Sequence, residues 1–137
     1  MNFPYVKLPG DASGVLKPYI PVRYHYKNSF TKEILTLIDS GADTSHFSTD
    51  LANFFNIDWK KLKIQKSNAA NNSTFLAYVF EEPFTIEIGG HKLTINRANF
   101  SPDLAPPFPF ILGQDNFFDL CRITFERYKW NIDLNIK

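Results

Sequence analysis

Apolar and polar residues alternate with period two in several short segments of this chain. Such alternation restricts the fold, because it is typical of β-strands with one buried face. Between Phe84 and Ile95, two such segments flank Gly89-Gly90. This pattern predicts a tight β-hairpin, because glycine readily adopts the positive φ that a two-residue turn requires. Residues 20–26 alternate in the same way and predict another strand, in which Pro21 favours an edge position because proline has no amide proton.

Helices are predicted in only two short stretches. Ser48-Thr49-Asp50 can cap a helix that includes Leu51 and Phe54, and Asp115 can begin a turn of helix over residues 116–120. The rest of the chain predicts seven or more short strands, without repeats or linkers. We therefore expect one compact all-β domain over residues 1–137, with residues 1–18 as an N-terminal extension whose order the sequence does not indicate.

A polar stretch from Ser67 to Thr74 separates two predicted strands, at residues 62–66 and 75–80. Its asparagines tolerate turn and left-handed conformations. This arrangement predicts a hairpin that protrudes from the domain.

Composition restricts the possible functions. The chain has 15 basic and 14 acidic residues, a formal charge of +1 and no run of like charges, so we expect no nucleic-acid partner. No apolar run reaches the roughly 18 residues of a membrane span, and no signal peptide is evident. The sequence therefore predicts a cytoplasmic protein without membrane contact.

Metal and cofactor sites are not expected. Cys121 is the only cysteine, and the three histidines are scattered without the spacing of metal ligands. Asp43, Ser45 and His46 suggest a catalytic triad, but such triads are assembled from distant segments. We interpret these three residues as having turn and cap roles.

Asp39-Ser40-Gly41 follows a short apolar run, residues 33–38, so the acid lies where a buried strand is predicted to end. Taken alone, the tripeptide is typical of an ordinary turn, because Asp and Ser side chains form hydrogen bonds to nearby backbone groups and Gly accepts positive φ. A functional interpretation needs further matches elsewhere in the chain.

Two distant segments provide those matches. Leu37-Ile38-Asp39-Ser40-Gly41-Ala42 is similar to the apolar strand and Asp-Thr/Ser-Gly-Ala signature of the retropepsin-like (retroviral-type) aspartic peptidases. Ile111-Leu112-Gly113-Gln114-Asp115 is similar to that family's second signature, in which two aliphatic residues and a glycine precede a polar residue and Asp or Asn. With the hairpin between them, the resemblance covers residues 20–136.

This resemblance implies a single-domain acid-protease β-barrel with a flap hairpin and one or two short helices, which pairs as a two-fold homodimer. It implies that Asp39 is the catalytic acid and that the Ser40 hydroxyl bonds across the dimer axis. The remaining residues are assigned by the same likeness: Ser40, Gly41 and Ala42 to the active-site loop, Asp43, Ala69, Ala70, Asn71 and Asn72 to substrate binding, and Ile111, Leu112 and Gly113 to structural support.

Peptide hydrolysis needs a base that takes a proton from water and an acid that gives one to the substrate. Two carboxylates that share one proton supply both roles. The chain contains a single Asp-Ser/Thr-Gly motif, so we expect Asp39 from each of two copies to form the dyad. The substrate would be an extended polypeptide that pairs with the flap as an added strand.

A different class of function stays open, namely a non-catalytic dimerisation or peptide-binding module of the same fold. The flap tip lacks glycine. Many retroviral members also have Arg where Gln114 stands, and that Arg pairs with the acid corresponding to Asp43. A neutral amide can form a hydrogen bond there but not an ion pair.

Overall fold

The computed structural model describes residues 1–68, 74–104 and 109–137. Strands dominate these ranges, which confirms the all-β prediction, and no helix within them is long and apolar enough to cross a membrane. The strands are β1 (Asn2–Pro4), β2 (Tyr19–Tyr26), β3 (Ser29–Phe30), β4 (Ile34–Ile38), β5 (His46–Ser48), β6 (Lys63–Asn68), β7 (Thr74–Phe80), β8 (Phe84–Ile88), β9 (His91–Ile95), β10 (Ala98–Ser101), β11 (Phe110–Leu112), β12 (Cys121–Glu126) and β13 (Asn131–Ile136). The helical elements are α1 (Thr49–Phe54) and the 3-10 turns Trp59–Lys61, Phe118–Leu120 and Arg127–Lys129.

The larger sheet has the strand order β6-β7-β10-β5-β11-β4-β2-β8-β9, with β3 beside β2. Its end strands, β6 and β9, do not pair with each other in the described part of the chain. The predicted barrel is therefore wrong, and the sheet is open. Each end strand belongs to a hairpin that is paired only on its inner side, and β12 and β13 form a separate sheet with β1 instead of closing the large one.

Strand β2 lies inside the large sheet, so the edge position predicted from Pro21 is wrong. Its first half pairs with β4, where Pro21 lies opposite Leu35, and its pairing with β8 begins only at Arg23. At Pro21, which lacks an amide proton, β2 therefore pairs with β4 only, because its pairing with β8 starts two residues later. Proline is tolerated at such a position, because the strand has a free side there.

Two local predictions are confirmed. Gly89 and Gly90 connect β8 and β9 with φ values of 55° and 82°, as the two-residue hairpin turn requires. The Ser48 hydroxyl accepts a hydrogen bond from the Asp50 amide over 3.1 Å and caps α1. Such a cap satisfies an amide that the first helical turn would otherwise leave unpaired.

The helix predicted at residues 116–120 is only partly correct. Asn116 has a φ of 67°, which is incompatible with a continuous right-handed helix. Residues 114–117 therefore form turns, and the 3-10 turn begins at Phe118. Asp115 does not cap a helix.

The core is aromatic and lies beneath the strands that carry the candidate site. Tyr24, Phe47, Phe100 and Phe117 are fully buried. The Tyr24 and Phe47 rings meet edge to face with centroids 5.2 Å apart, a geometry that aromatic pairs favour. The Tyr24 hydroxyl lies 2.7 Å from that of Thr36 on β4, so the only polar atom of this ring is satisfied.

The smaller sheet has the order β1-β13-β12. Ile132 and Leu134 of β13 are fully buried, whereas Asp133 lies between Asn2 and Thr124 on the opposite face. One face of this sheet thus packs on the core and the other is polar, as expected for an antiparallel sheet with one solvated side. In the described part of the chain, β12 has a strand neighbour on one side only.

Candidate active site

Asp39 lies directly after β4, beside the end of β11. These two strands run parallel, with Leu112 opposite Ile38, and the Asp39 amide donates to the Leu112 carbonyl over 3.0 Å. Ile38 and Leu112 are buried, whereas Asp39 is only half-buried. The pairing brings together two segments that lie more than seventy residues apart in the sequence.

The loop after β4 orients the Asp39 carboxylate. The Gly41 amide donates to Asp39 Oδ1 over 2.9 Å, and the Ala42 amide donates to the Asp39 backbone carbonyl over 3.2 Å. A Cβ atom at Gly41 would lie 3.2 Å from Asp39 Oδ1, which is tighter than ordinary van der Waals contact. Glycine at this position therefore lets the backbone approach the carboxylate closely.

Gly113 joins the second signature to the loop that follows Asp39. Its amide donates to the Ser45 hydroxyl over 3.1 Å in a buried bond. A Cβ atom at Gly113 would lie 2.6 Å from the Ala42 carbonyl oxygen and would also overlap the Thr44 carbonyl. Only glycine fits here without movement of the backbone.

Three further bonds hold residues 113–115 against residues 40–43. The Gln114 amide donates to the Ala42 carbonyl and the Asp115 amide to the Asp43 carbonyl, each over 2.9 Å. The Gln114 side-chain amide donates to the Ser40 carbonyl over 2.7 Å. Gln114 therefore fixes the Asp39 loop through its neutral amide.

The structure thus brings together most of the residues that the sequence places in the site. Asp39, Ser40, Gly41, Ala42 and Asp43 form one loop, and Ile111, Leu112 and Gly113 lie alongside it. The substrate-binding assignments Ala69, Ala70, Asn71 and Asn72 lie outside the described residues. The functional roles of all these residues remain predictions.

The two strands of the predicted flap hairpin, β6 and β7, pair from Lys63–Val79 to Asn68–Thr74. The hairpin is tied to the body of the domain by Asp103, whose Oδ2 accepts a hydrogen bond from the Leu76 amide over 3.0 Å. The pairing extends beyond the predicted strands at residues 62–66 and 75–80. The cross-strand pairing extends the hairpin to Ser67, Asn68 and Thr74. These are polar positions that the hydrophobic pattern assigns to the loop.

Sequence reasoning missed a polar row beside the loop, formed by Thr44, His46 and Asn99. The Asn99 side-chain amide donates to Thr44 Oγ1 over 3.0 Å, and Thr44 Oγ1 lies 3.1 Å from His46 Nε2. His46 belongs to β5 and pairs in register with Asn99, so the turn role predicted for it is wrong. No alternation in the sequence indicates this placement, since Ser45, His46, Phe47 and Ser48 are all buried.

His46 is 7% exposed, and its environment disfavours the charged form of the ring. Burial lowers the pKa of His46 from its usual 6.5 to about 4, and the negative charge of Asp39 acts in the opposite direction. The ring also meets that of Phe75 on β7 edge to face, with centroids 5.2 Å apart. His46 therefore lies between the Asp39 loop and the flap hairpin.

The described residues contain no group of three or more His, Cys, Asp or Glu side chains that could hold a metal ion. The Ser45 hydroxyl accepts a hydrogen bond from the Gly113 amide, and the His46 side chain forms a hydrogen bond with the Thr44 hydroxyl. Ser45 and His46 are thus not paired as nucleophile and base.

Solved structures identify the architecture. A retropepsin-like aspartic protease from Rickettsia conorii superimposes with a TM-score of 0.62, and the match covers 98% of each chain at 14% identity. The fold is that of the retropepsin-like aspartic proteases. The EIAV protease in complex with the inhibitor HBY-793 also matches, with a TM-score of 0.51 and 21% identity over 76% of this chain and 88% of that one.

Comparison of the sequence with protein-family models and with curated proteins gives no match. Among these comparisons, the retropepsin-like fold is shown by the solved structures. In this chain that fold includes the parallel β4–β11 pair and the Asp-Ser-Gly turn at its end.

Proposed function

We propose that this chain is an aspartic endopeptidase in which Asp39 from each of two copies forms the catalytic dyad. The observation that carries the proposal is the position of Asp39 in a retropepsin-like fold, with its carboxylate held by the Gly41 amide over 2.9 Å. The loop is fixed on its other side by residues 113–115. A rigidly held carboxylate at a loop that is open to a partner is what dyad chemistry needs.

In the proposed reaction, two Asp39 carboxyl groups share one proton, because two negative charges so close together repel each other. The ionised carboxylate takes a proton from water, and the water oxygen attacks the peptide carbonyl carbon. The protonated partner donates its proton to the carbonyl oxygen. When the tetrahedral intermediate collapses, its C–N bond breaks, the carboxyl group that took the water proton gives it to the leaving nitrogen, and a hydroxyl proton of the intermediate passes to the other carboxylate, so the dyad again holds one proton.

The second copy is needed because the sequence has one Asp-Ser-Gly motif. One edge of β12 has no strand neighbour in the described part of the chain, and this edge is suited to pairing with a second copy. In an antiparallel pair of β12 strands centred on Thr124, Arg122 of one copy would face Glu126 of the other, and Ile123 would face Phe125. Phe125 is 38% exposed, so such pairing would cover apolar surface and join opposite charges.

The proposed substrate is an extended polypeptide that lies between the Asp39 loop and the flap hairpin of β6 and β7. The contact between Phe75 and His46 supports this placement, because it brings a side chain of β7 against β5, which follows the Asp39 loop. A peptide in this position can bond to main-chain groups as an added strand.

A non-catalytic peptide-binding module is the alternative. The specific observation in its favour is that the Asp39 carboxylate accepts a bond from the Gly41 amide within its own turn, as Asp does in turns of purely structural role. Such a module would dimerise and bind extended peptides without cutting them.

Cleavage of a denatured protein library separates these functions. Native protein, Asp39→Asn and the control Asp50→Asn, which changes an exposed acid on α1, are incubated across acidic and neutral pH, with and without a statine-type transition-state mimic. The proposal predicts that native protein and the control cut and are inhibited, and that Asp39→Asn does not cut. Equal cleavage by Asp39→Asn contradicts it, and peptide binding without cleavage favours the module.

A further inference from the structure

The polar row of Thr44, His46 and Asn99 contains a buried polar atom whose partner is missing. His46 Nδ1 is buried and has no hydrogen-bond partner among the described residues. Buried polar atoms in native proteins are nearly always paired, so an exception calls for a functional or structural explanation. The position of this atom beside the proposed catalytic loop suggests a ligand.

The hydrogen bonds within the row determine what this atom offers. Thr44 Oγ1 already accepts a proton from the Asn99 side-chain amide. Its own hydroxyl proton can therefore be donated to His46 Nε2, 3.1 Å away. We assign the bond in this direction; a neutral imidazole that accepts at Nε2 carries its proton on Nδ1, and with this tautomer the unpartnered atom is an N–H donor.

The surroundings determine which acceptor fits the donor. Asp39 is close enough for its negative charge to act on His46, and the same charge disfavours a carboxylate at this position. An aliphatic side chain would leave the N–H unpaired. A neutral carboxamide, which offers a carbonyl oxygen without charge, satisfies both conditions.

We propose that Thr44, His46 and Asn99 form a specificity pocket that selects an asparagine or glutamine side chain of the substrate through His46 Nδ1–H. The inference rests on the proposed function and names the substrate class of that same site. The Phe75 ring of β7 contacts the His46 ring with centroids 5.2 Å apart, so an apolar group lies beside the proposed donor.

The test measures binding, so that it does not depend on cleavage. Peptide mimics with a central statine unit carry glutamine, glutamate or leucine at one flanking position at a time and are titrated calorimetrically into native protein. We expect one position, or two related by the dimer axis, at which glutamine binds about 10- to 100-fold more tightly than leucine. No preference at any position, or no binding of any mimic, overturns the pocket.

Variants separate the pocket from a structural role of the row. His46→Leu and Thr44→Val should each lose most of the difference between glutamine and leucine, and Thr44→Ser, which retains the hydroxyl, should restore it. A preference that persists in folded His46→Leu contradicts the proposal. Nitrogen-15 spectra of native protein should show the His46 proton on Nδ1 and a shift of this nitrogen with the glutamine mimic, and a proton on Nε2 would also contradict it.

The two proposals fail in different ways. Selective binding of the glutamine mimic without cleavage of any peptide contradicts the endopeptidase and supports the pocket. Cleavage that depends on Asp39 but shows no difference between glutamine and leucine supports the endopeptidase and overturns the pocket.

Discussion

The side-chain amide of Gln114 donates a hydrogen bond to the backbone carbonyl of Ser40 over 2.7 Å. This bond links the second signature to the loop that holds Asp39, and it is one that a neutral amide forms without an ion pair. Gln114 is exposed, so water competes with the bond, and its role is to position the loop.

Replacement of Gln114 should therefore affect catalysis more than stability. Gln114→Glu removes the donor and places a negative charge near Asp39, and we expect kcat to fall about tenfold or more while the unfolding free energy changes by about 1 kcal/mol or less. Peptide cleavage and urea unfolding measure the two effects. Asn28→Asp in the exposed turn between β2 and β3 adds the same charge and is the control, and equal kcat values for both variants would refute the positioning role.

Gly113→Ala should destabilise the chain strongly, because its Cβ would overlap the carbonyl oxygens of Ala42 and Thr44. We expect a loss of about 2–4 kcal/mol or failure to fold. Gly90→Ala is the control, since no atom lies within 4 Å of its Cβ and only its φ of 82° is strained. That variant should lose about 1 kcal/mol. If urea unfolding gave similar losses of unfolding free energy for Gly113→Ala and Gly90→Ala, the backbone around Gly113 would relieve the overlap at little cost in stability.

The buried His46 should make stability depend on pH. Its pKa is lowered from 6.5 to about 4, so between these values the unfolded chain binds a proton that the folded chain does not. The unfolding free energy should therefore fall as pH drops from 6.5 to about 4, by about 3 kcal/mol from this residue, and not further below that.

Urea unfolding at fixed protein concentration across this pH range measures the effect, with His46→Leu as the variant in which the contribution is absent. Parallel curves for native protein and His46→Leu would contradict the assignment. In Asp39→Asn, where the opposing charge is gone, the pKa of His46 from NMR titration should be lower than in native protein.

Charge reversal tests the proposed pairing of β12. Arg122→Glu alone and Glu126→Arg alone would each place like charges opposite each other and should weaken dimerisation, whereas the double variant restores opposite charges and should recover it. Sedimentation velocity over a range of concentrations measures the change. Glu126 also contacts Lys129 of its own chain over 3.2 Å, so Lys129→Ala is the control for that contact. If the double variant is no better than the single ones, the strands do not pair in this register.

The features that the sequence predicted well depend on neighbouring residues. The Gly89-Gly90 turn and the Ser48 cap follow from local backbone requirements. The placement of Asp39 beside Leu112 followed from two separate signatures, because a resemblance carries information about distant contacts.

The features that the sequence did not predict depend on long-range pairing. The open sheet and the interior position of β2 are decided by which strands meet, and hydrophobic alternation does not specify a partner. The polar row was missed for the same reason, since Asn99 lies far from Thr44 in the chain and is brought there by the pairing of β10 with β5.

Mixing of native subunits with Asp39→Asn subunits tests whether both copies contribute Asp39 to one active site. If each active site needs Asp39 from both copies, mixed dimers are inactive, and activity falls with the square of the native fraction, to about one quarter at equal proportions of freely exchanging subunits. We expect this curve for cleavage measured at constant total protein. A linear fall to about one half would show that each copy cuts with its own Asp39 alone, a fall to about three quarters would show that one Asp39 suffices in a dimer, and undiminished activity would show that Asp39 is not catalytic.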